Sequence, residues 1–505
     1  MPALTFALVP FFLITLPWLN PFTFGPSPAA GPLLFSWACA LVLVGFWVWP
    51  QPTLKDKTAF EQKVLALVCA WWAAAILSAL IGLLQYFGAA EALTPWVNST
   101  RTGEAFANLR QRNQFATLCN IGLAAVMWWM LDRTTQRSIS LSKTGAFASA
   151  VLLQMGNAAS ASRTGLLQLV LLLALFSFWG AWRNRSALRV LVAAGLAYAL
   201  AAVALPVLLG LDPLNSGMLA RLQDGDSVCA SRITMWRNVL HLIAQKPLLG
   251  WGWGELDYAH FITLYSGPRF CEILDNAHNL PLQLAVELGL PAALACCALG
   301  LWAVWLGKPW REHAATRQMA WAVIAVIMLH SLLEYPLWYG PFQMALGLSV
   351  WLLWRTKRPA SEKFKGKTLE KPYILARAAI LLIALMMAGI GYAAWEYTRV
   401  SQLFIPVHAR LASYRDNTLQ KVSDSPLFRS QVEFATLSML ELAPENAAQV
   451  NQLAKSLLHF SPEPRVIERL IESAELLGQS DEAAYYRARY QAAFPEKFDA
   501  WVKAN

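Results

Sequence analysis

Charge is scarce in this chain. Only 14% of its 505 residues are Asp, Glu, Lys or Arg, against about a quarter in soluble domains, which argues against an ordinary water-soluble globule. Histidine is also scarce: the seven present are scattered, with no acidic cluster of the kind that holds a divalent cation, so the sequence carries no metal signature and implies no cofactor. One glycine-rich run, Gly250-Trp251-Gly252-Trp253-Gly254, lacks the Gly-Lys-Ser/Thr of a phosphate loop; it reads as a tight turn with Trp at a bilayer interface. No nucleophile elbow marks a Ser-His-Asp hydrolase. The first residues have neither a basic n-region nor a clear cleavage site, so residues 4–20 read as a membrane span rather than a signal peptide.

Large apolar side chains are abundant. The sequence is 57% hydrophobic and holds 23 Trp and 24 Phe. Apolar segments fall at 4–20, 32–50, 64–87, 114–131, 145–160, 165–181, 189–210, 279–304, 318–334, 341–354 and 374–395. About 20 such residues cross a hydrocarbon core of roughly 30 Å. The pattern predicts an all-α polytopic membrane protein with about eleven transmembrane helices.

Orientation follows from the basic residues. Lys and Arg gather in short segments that begin at Lys55, Arg133, Arg183, Lys308 and Arg355, and the last of these carries seven before Pro372. The opposite loops have fewer, spread over far more residues. The first set is therefore expected in the cytoplasm, with the N-terminus inside and the C-terminus outside. The net charge of +10 belongs to this orientation signal and does not point to nucleic acid.

Four regions result. Residues 1–210 hold spans one to seven, 211–277 form a large outside loop, 278–396 hold spans eight to eleven, and 397–505 form an outside helical domain. Loops as long as the second are usually functional. In the tail, the segments 430–444, 445–460, 463–478 and 480–495 read as short amphipathic helices broken by Pro and Gly. Their helix–turn–helix rhythm suggests a tetratricopeptide-like array without a clean 34-residue repeat; a small helical bundle is the alternative. Cys229 and Cys271 share the large loop. An oxidising compartment would favour a disulfide between them; two free thiols is the other reading.

The residues that could carry chemistry are polar and stand at outer span ends. Arg110-Gln111-Arg112-Asn113-Gln114 precedes span four, where two Arg on the outer face suggest an anionic ligand rather than anchoring alone. Arg163, in Ser162-Arg163-Thr164, sits in a hairpin so short that it lies at the membrane surface, and a boundary Arg is costly enough to imply function. The helix expected from about Thr164 would add the positive potential of its amides, which suits phosphate. Arg232 and Arg237 fall on one predicted helix, five apart, so they do not share a face well. His278, in Asn276-Ala277-His278-Asn279, enters span eight, where a neutral imidazole could take a proton from an attacking hydroxyl or simply hydrogen-bond a helix start. Glu334, Tyr335, Trp338 and Tyr339 close span nine; Glu334 is expected to pair with an Arg, and Trp338 reads as an aromatic-belt residue.

These motifs, in this order, resemble the bacterial O-oligosaccharyltransferases of the PglL type, within the superfamily of O-antigen ligases and polymerases. Arg110 to Thr117 is similar to that family's N-terminal signature. Ser162-Arg163-Thr164, Ser231-Arg232 with Trp236, Pro247 to Gly252 and Asn276 to Asn279 resemble the ligase core. Leu333 to Tyr339 resembles the segment that separates protein glycosylases from lipopolysaccharide ligases.

The resemblance implies a GT-C-like membrane enzyme of the bacterial inner membrane with its site facing the periplasm. It would be inverting and metal-independent, with an undecaprenyl-pyrophosphate-linked oligosaccharide as donor and Ser or Thr of a periplasmic protein such as pilin as acceptor. It implies that His278 is the essential His and that Arg163 and Arg232, with Arg112 and Arg237 near them, hold pyrophosphate. Tyr335 and Tyr339, with Glu334 and Asn279, are acceptor-side or structural candidates. Ala161 stands where the family often has a polar residue. Two other readings remain open: an O-antigen ligase acting on lipid A-core, and a lipid-linked glycan flippase, which would call for inverted repeats.

Overall fold

The computed structural model describes residues 2–49, 56–132, 141–223, 227–356 and 372–504. Every regular element among them is helical. The apolar segments become α1 (Pro2–Leu19), α2 (Ala30–Val48), α3 (Asp56–Tyr86), α4 (Arg112–Leu131), α5 (Lys143–Ala159), α6 (Arg163–Phe178) and α7 (Arg185–Leu208). The large loop contains α8 (Gly217–Gln223), α9 (Arg232–Gln245) and α10 (Leu256–Ile262). Then come α11 (Leu280–Leu288), α12 (Leu290–Gly307), α13 (Ala315–Ser331), α14 (Gly340–Arg355) and α15 (Pro372–Ser401). The tail forms α16 (Thr418–Val422), α17 (Arg429–Met439), α18 (Ala447–Leu458), α19 (Pro464–Leu476), α20 (Ser480–Ala493) and α21 (Pro495–Ala504).

Each of the eleven segments read as spans is helical, yet only six helices among the described residues are long and apolar enough to cross a membrane. The remainder include α5, α6, α13 and α14, of 16 or 17 residues. At 1.5 Å per residue these reach about 25 Å, short of the hydrocarbon thickness. The basic residues Lys55, Arg133 and Arg137, and the run beyond Thr356, lie outside the described residues.

The expected span eight is two helices, because Gly289 interrupts it at φ +85° and Pro291 follows. The interruption has a packing cause. Trp251 N donates to Val286 O at 2.8 Å, Gly252 N to Glu287 O at 3.0 Å, and Leu290 N to Pro247 O at 2.8 Å. A Cβ on Gly250 would lie 2.4 Å from the Glu287 backbone, and one on Gly289 would lie 2.1 Å from Leu248 O. The glycine run thus lets two backbones touch. This replaces the reading of a simple interfacial turn, although Trp253 is exposed.

Two compact units emerge. The first comprises Met1–Thr23, Pro28–Asp224 and Val304–Tyr392. At its centre α4 is buried on every face from Gln114 to Trp128, and it packs against α3, α5, α6 and α13. The second comprises Phe24–Ser27, Gly225–Ala303 and Ala393–Asn505. Most of the large loop and the tail therefore share one unit rather than standing as separate regions. Phe261 of α10 is buried in the same core as Leu437, Val450, Leu457 and Ile467 of the tail, and His459 Nδ1 lies 2.6 Å from Glu255 Oε2. Helices α17 to α21 pack consecutively, each on the next. Cys229 and Cys271 are disulfide-bonded with Cα atoms 5.2 Å apart.

Candidate functional site

The polar residues singled out in the sequence turn out to be helix caps. Gln111 accepts from Gln114 N at 2.7 Å and starts α4. Ser162 accepts from Gly165 N at 2.9 Å and starts α6. Ser231 accepts from Thr234 N at 3.2 Å and starts α9, and Asn279 accepts from Leu282 N at 3.1 Å and starts α11. Each cap contributes about 1 kcal/mol to its helix. In the first three the next residue is an arginine: Arg112, Arg163 and Arg232 are the first residues of α4, α6 and α9. No acidic residue stands in the first turn of any of them. A cation at a helix N-terminus opposes the macrodipole by about 0.3–1 kcal/mol. Arginine and dipole together make a place for an anion.

In the first unit, Asn113 joins three segments. Its Oδ1 accepts from Ser162 Oγ at 2.6 Å, and its Nδ2 donates to Glu334 Oε1 at 3.1 Å. Glu334 is buried and accepts this bond. Beneath it a polar chain continues through the core: Thr117 Oγ1 lies 2.9 Å from His330 Nδ1, and Gln168 Nε2 donates to Thr117 Oγ1 at 2.8 Å and to Val326 O at 2.9 Å. Sequence reasoning overlooked Asn113, Thr117, Gln168 and His330 as a set. The available signal was the density of amides and hydroxyls inside otherwise apolar spans. Arg112 bonds Glu104 at 2.5 Å. Ala161 adopts φ +50° in the hairpin before Ser162, with its N–H on Ala158 O. Tyr335 and Tyr339 stack with centroids 6.1 Å apart.

In the second unit, α9 presents Thr234, Met235, Asn238 and Val239 to the core. Arg232 is half-buried and Arg237 exposed, as a five-residue offset on a helix requires. His278 does not enter the helix. It stands just before the capping Asn279 with φ +50°, a left-handed conformation uncommon outside glycine, in which Asn, Asp and His are the enriched exceptions. Neighbours fix this turn. His278 N donates to Asn276 Oδ1 at 2.8 Å, Ala277 N to Gln283 Oε1 at 2.6 Å, and Trp236 Nε1 to Ala277 O at 3.0 Å. The side chain at 278 is therefore aimed by backbone strain, a feature that clusters at functional sites. Asp275 is within electrostatic reach of it. Among the described residues no three His, Cys, Asp or Glu side chains group as a metal site would need.

Three family models match in chain order. Residues 105–130 match a protein glycosylation ligase model, 148–297 an O-antigen ligase model, and 318–505 the C-terminal model of virulence-factor membrane-bound polymerases. The first of these contains Arg112 and Asn113, the second Arg163, Arg232 and His278, the third Glu334, Tyr335 and Tyr339. The chain is PglL-like. Two relatives from Acinetobacter baylyi agree. A general O-oligosaccharyltransferase is 26% identical over 329 residues, 62% of this chain and 55% of the relative. A ComP-specific O-oligosaccharyltransferase is 24% identical over 250 residues, 50% of this chain and 44% of the relative. The PglL-like chain spans about half the length of these relatives. No solved structure matches it.

Proposed function

We propose that this PglL-like chain is an inverting O-oligosaccharyltransferase of the bacterial inner membrane. It transfers a preassembled glycan en bloc from undecaprenyl pyrophosphate to Ser or Thr hydroxyls of periplasmic proteins such as pilin. The observation that carries the reading is the placement of Arg112, Arg163 and Arg232 as the first residue of three capped helices. That placement suits a phosphate-bearing donor. Arg163 and Arg232 take the leading role, since Ser162-Arg163-Thr164 and Ser231-Arg232 resemble the ligase core and both lie in the segment that matches the O-antigen ligase model.

In the transfer, the acceptor oxygen bonds to the anomeric carbon as the bond to pyrophosphate breaks. Guanidinium groups stabilise the departing anion through bidentate, charge-assisted hydrogen bonds, and the chemistry needs no metal. The acceptor proton must leave, and His278 either takes it or orients the hydroxyl. Tyr335, Tyr339, Glu334 and Asn279 serve the acceptor side or hold the framework, and the helical tail positions acceptor proteins.

The O-antigen ligase reading has its own support, because residues 148–297 match an O-antigen ligase model. Co-expression with a lipid-linked glycan pathway, a pilin and a lipid A-core acceptor separates the two. Intact-mass analysis should find the pilin heavier by one whole glycan. Unmodified pilin beside glycan-capped lipopolysaccharide would overturn the protein-acceptor reading.

A further inference from the structure

The buried acids differ in what they face. Glu312 bonds Arg317 and Glu396 bonds Arg399, while Glu334 accepts from Asn113. Glu287, near the end of α11, is buried as well, and its Oε1 accepts the backbone N–H of Gly254 at 2.8 Å. Nothing in the transfer described above uses this carboxylate. Its contact crosses from the glycine run of the large loop to the helix that starts beside His278.

One turn back on the same helix stands Gln283, also buried. Residues four apart are neighbours on a helix face. The Gln283 side chain reaches the Glu287 carboxylate, whose Oε2 has no closer partner. The Oε1 of Gln283 is already committed to Ala277 N, at 2.6 Å. A carboxamide has a carbonyl at one end and only donors at the other, so the NH2 is the end left for Glu287. A carboxylate accepts on both oxygens and donates from neither. It therefore favours this orientation of the Gln283 amide and opposes the flipped one. Flipped, the NH2 would meet the Ala277 N–H, donor against donor. Ala277 is fully buried, so water cannot stand in, and an unmet buried donor is costly.

We propose that Glu287 is a positioning residue of the transfer: by fixing the Gln283 amide it holds the Ala277 N–H, and with it the left-handed turn that aims His278. This role rests on the transferase reading, whereas the relay from Glu287 to Ala277 stands apart from it. An apolar residue at 287 would fill the space but leave the Gly254 N–H and the Gln283 NH2 unmet. An amide would face one of them with its own NH2. A group that accepts on both sides satisfies both. One acid thus ties two segments to the His278 turn: the glycine run through Gly254, and the start of α11 through Gln283.

Two readouts on the purified full chain test it: hydrogen exchange at the Ala277 amide, and kcat with donor KM for glycan transfer to pilin. Glu287→Gln is nearly isosteric and keeps one acceptor. It should speed exchange at Ala277 about tenfold and lower kcat by at least about tenfold, with donor KM unchanged. Gln283→Met breaks the relay at its other end, leaves Glu287 on Gly254, and should do the same. Gln283→Glu combined with Glu287→Gln reverses the polarity of the pair. The carboxylate then accepts from Ala277 N, and the amide donates to that carboxylate and accepts from Gly254 N. Exchange and kcat should return to within about threefold of the wild type. A role for Glu287 in folding alone would lower the Tm of the single variants without that recovery. Thermal unfolding establishes which variants fold, and Gln283→Met stands in if Glu287→Gln does not. Wild-type exchange at Ala277 in Glu287→Gln, or a double variant no better than the single ones, would overturn the proposal. Absence of transfer by the wild-type chain would instead count against the transferase reading, and exchange at Ala277 would still decide the relay.

Discussion

Asn113 Nδ2 donates to Glu334 Oε1 at 3.1 Å, a contact between residues 221 positions apart. The same Asn113 accepts from Ser162, so one amide ties the start of α4 to the cap of α6 and to the loop after α13. The side-chain carbonyl and NH2 are both used, which only an amide can do in this geometry.

Replacing Asn113 therefore has two effects. Asn113→Ala leaves buried Glu334 without this donor, at about 1–3 kcal/mol. It also loosens Ser162, and with it the position of Arg163. The expected outcome is a lower Tm and at least a tenfold loss of glycan transfer. Asn113→Asp should be worse, since it sets a second carboxylate beside Glu334. Transfer at the wild-type rate with Asn113→Ala would remove the amide from the framework of the site.

His278 allows chemistry and strain to be separated. Its left-handed backbone, φ +50°, favours glycine over alanine by about 1 kcal/mol. His278→Gly should thus be more stable than His278→Ala, while both lose transfer. Thermal unfolding and intact-mass analysis of the pilin read the two properties independently. Transfer retained in either variant would exclude His278 from the reaction.

The crossing of Gly250 over the Glu287–Gly289 backbone leaves no room for a side chain. Gly250→Ala combines a 2.4 Å approach to the Glu287 backbone with φ +70°. A destabilisation of more than about 2 kcal/mol is expected, seen as reduced yield of folded protein and a lower Tm. Gly254→Ala makes a suitable control, since φ is also positive but a Cβ there would meet nothing within 4 Å. It should cost less.

The second unit should weaken in acid through His260. This side chain is buried and donates Nε2–H to Phe270 O at 3.1 Å, so Nδ1 accepts from Tyr265 Oη at 2.8 Å and the ring is neutral. Burial, and after it the Arg269 charge, push its pKa down to about 3. The folded value is below the unfolded one, so its contribution is present above about pH 6.5 and is lost as pH falls toward 3. Asp257, pushed up to about 7 by burial, contributes in the opposite sense. The useful readout is therefore the difference between wild type and His260→Gln. The variant should show a flatter decline in Tm between pH 6.5 and 4, and parallel profiles would sink the assignment.

Much of the molecule is written in local pattern. Apolar runs of helical length determined where eleven helical segments would lie, and the tail's amphipathic segments at 430–495 became α17 to α20 within a few residues. The helix expected from about Thr164 begins at Arg163 behind the Ser162 cap, a local signal because a cap bonds only to residues two or three ahead. The disulfide candidates were legible as two cysteines in one polar loop, and the structure joins them.

What the tertiary structure decided depends on residues far apart in the chain. Glu334 meets an amide from Asn113, a pairing that no local period encodes. Span eight breaks at Gly289 because the backbone near Leu248 passes against it, which hydropathy cannot register. His278 is held outside its helix by its neighbour Ala277, whose O accepts from Trp236 Nε1 and whose N donates to Gln283 Oε1. Sequence period specifies which face of a helix is apolar. Which polar groups satisfy one another inside that apolar frame is set by packing, because each buried donor must find whichever acceptor the fold brings within about 3 Å.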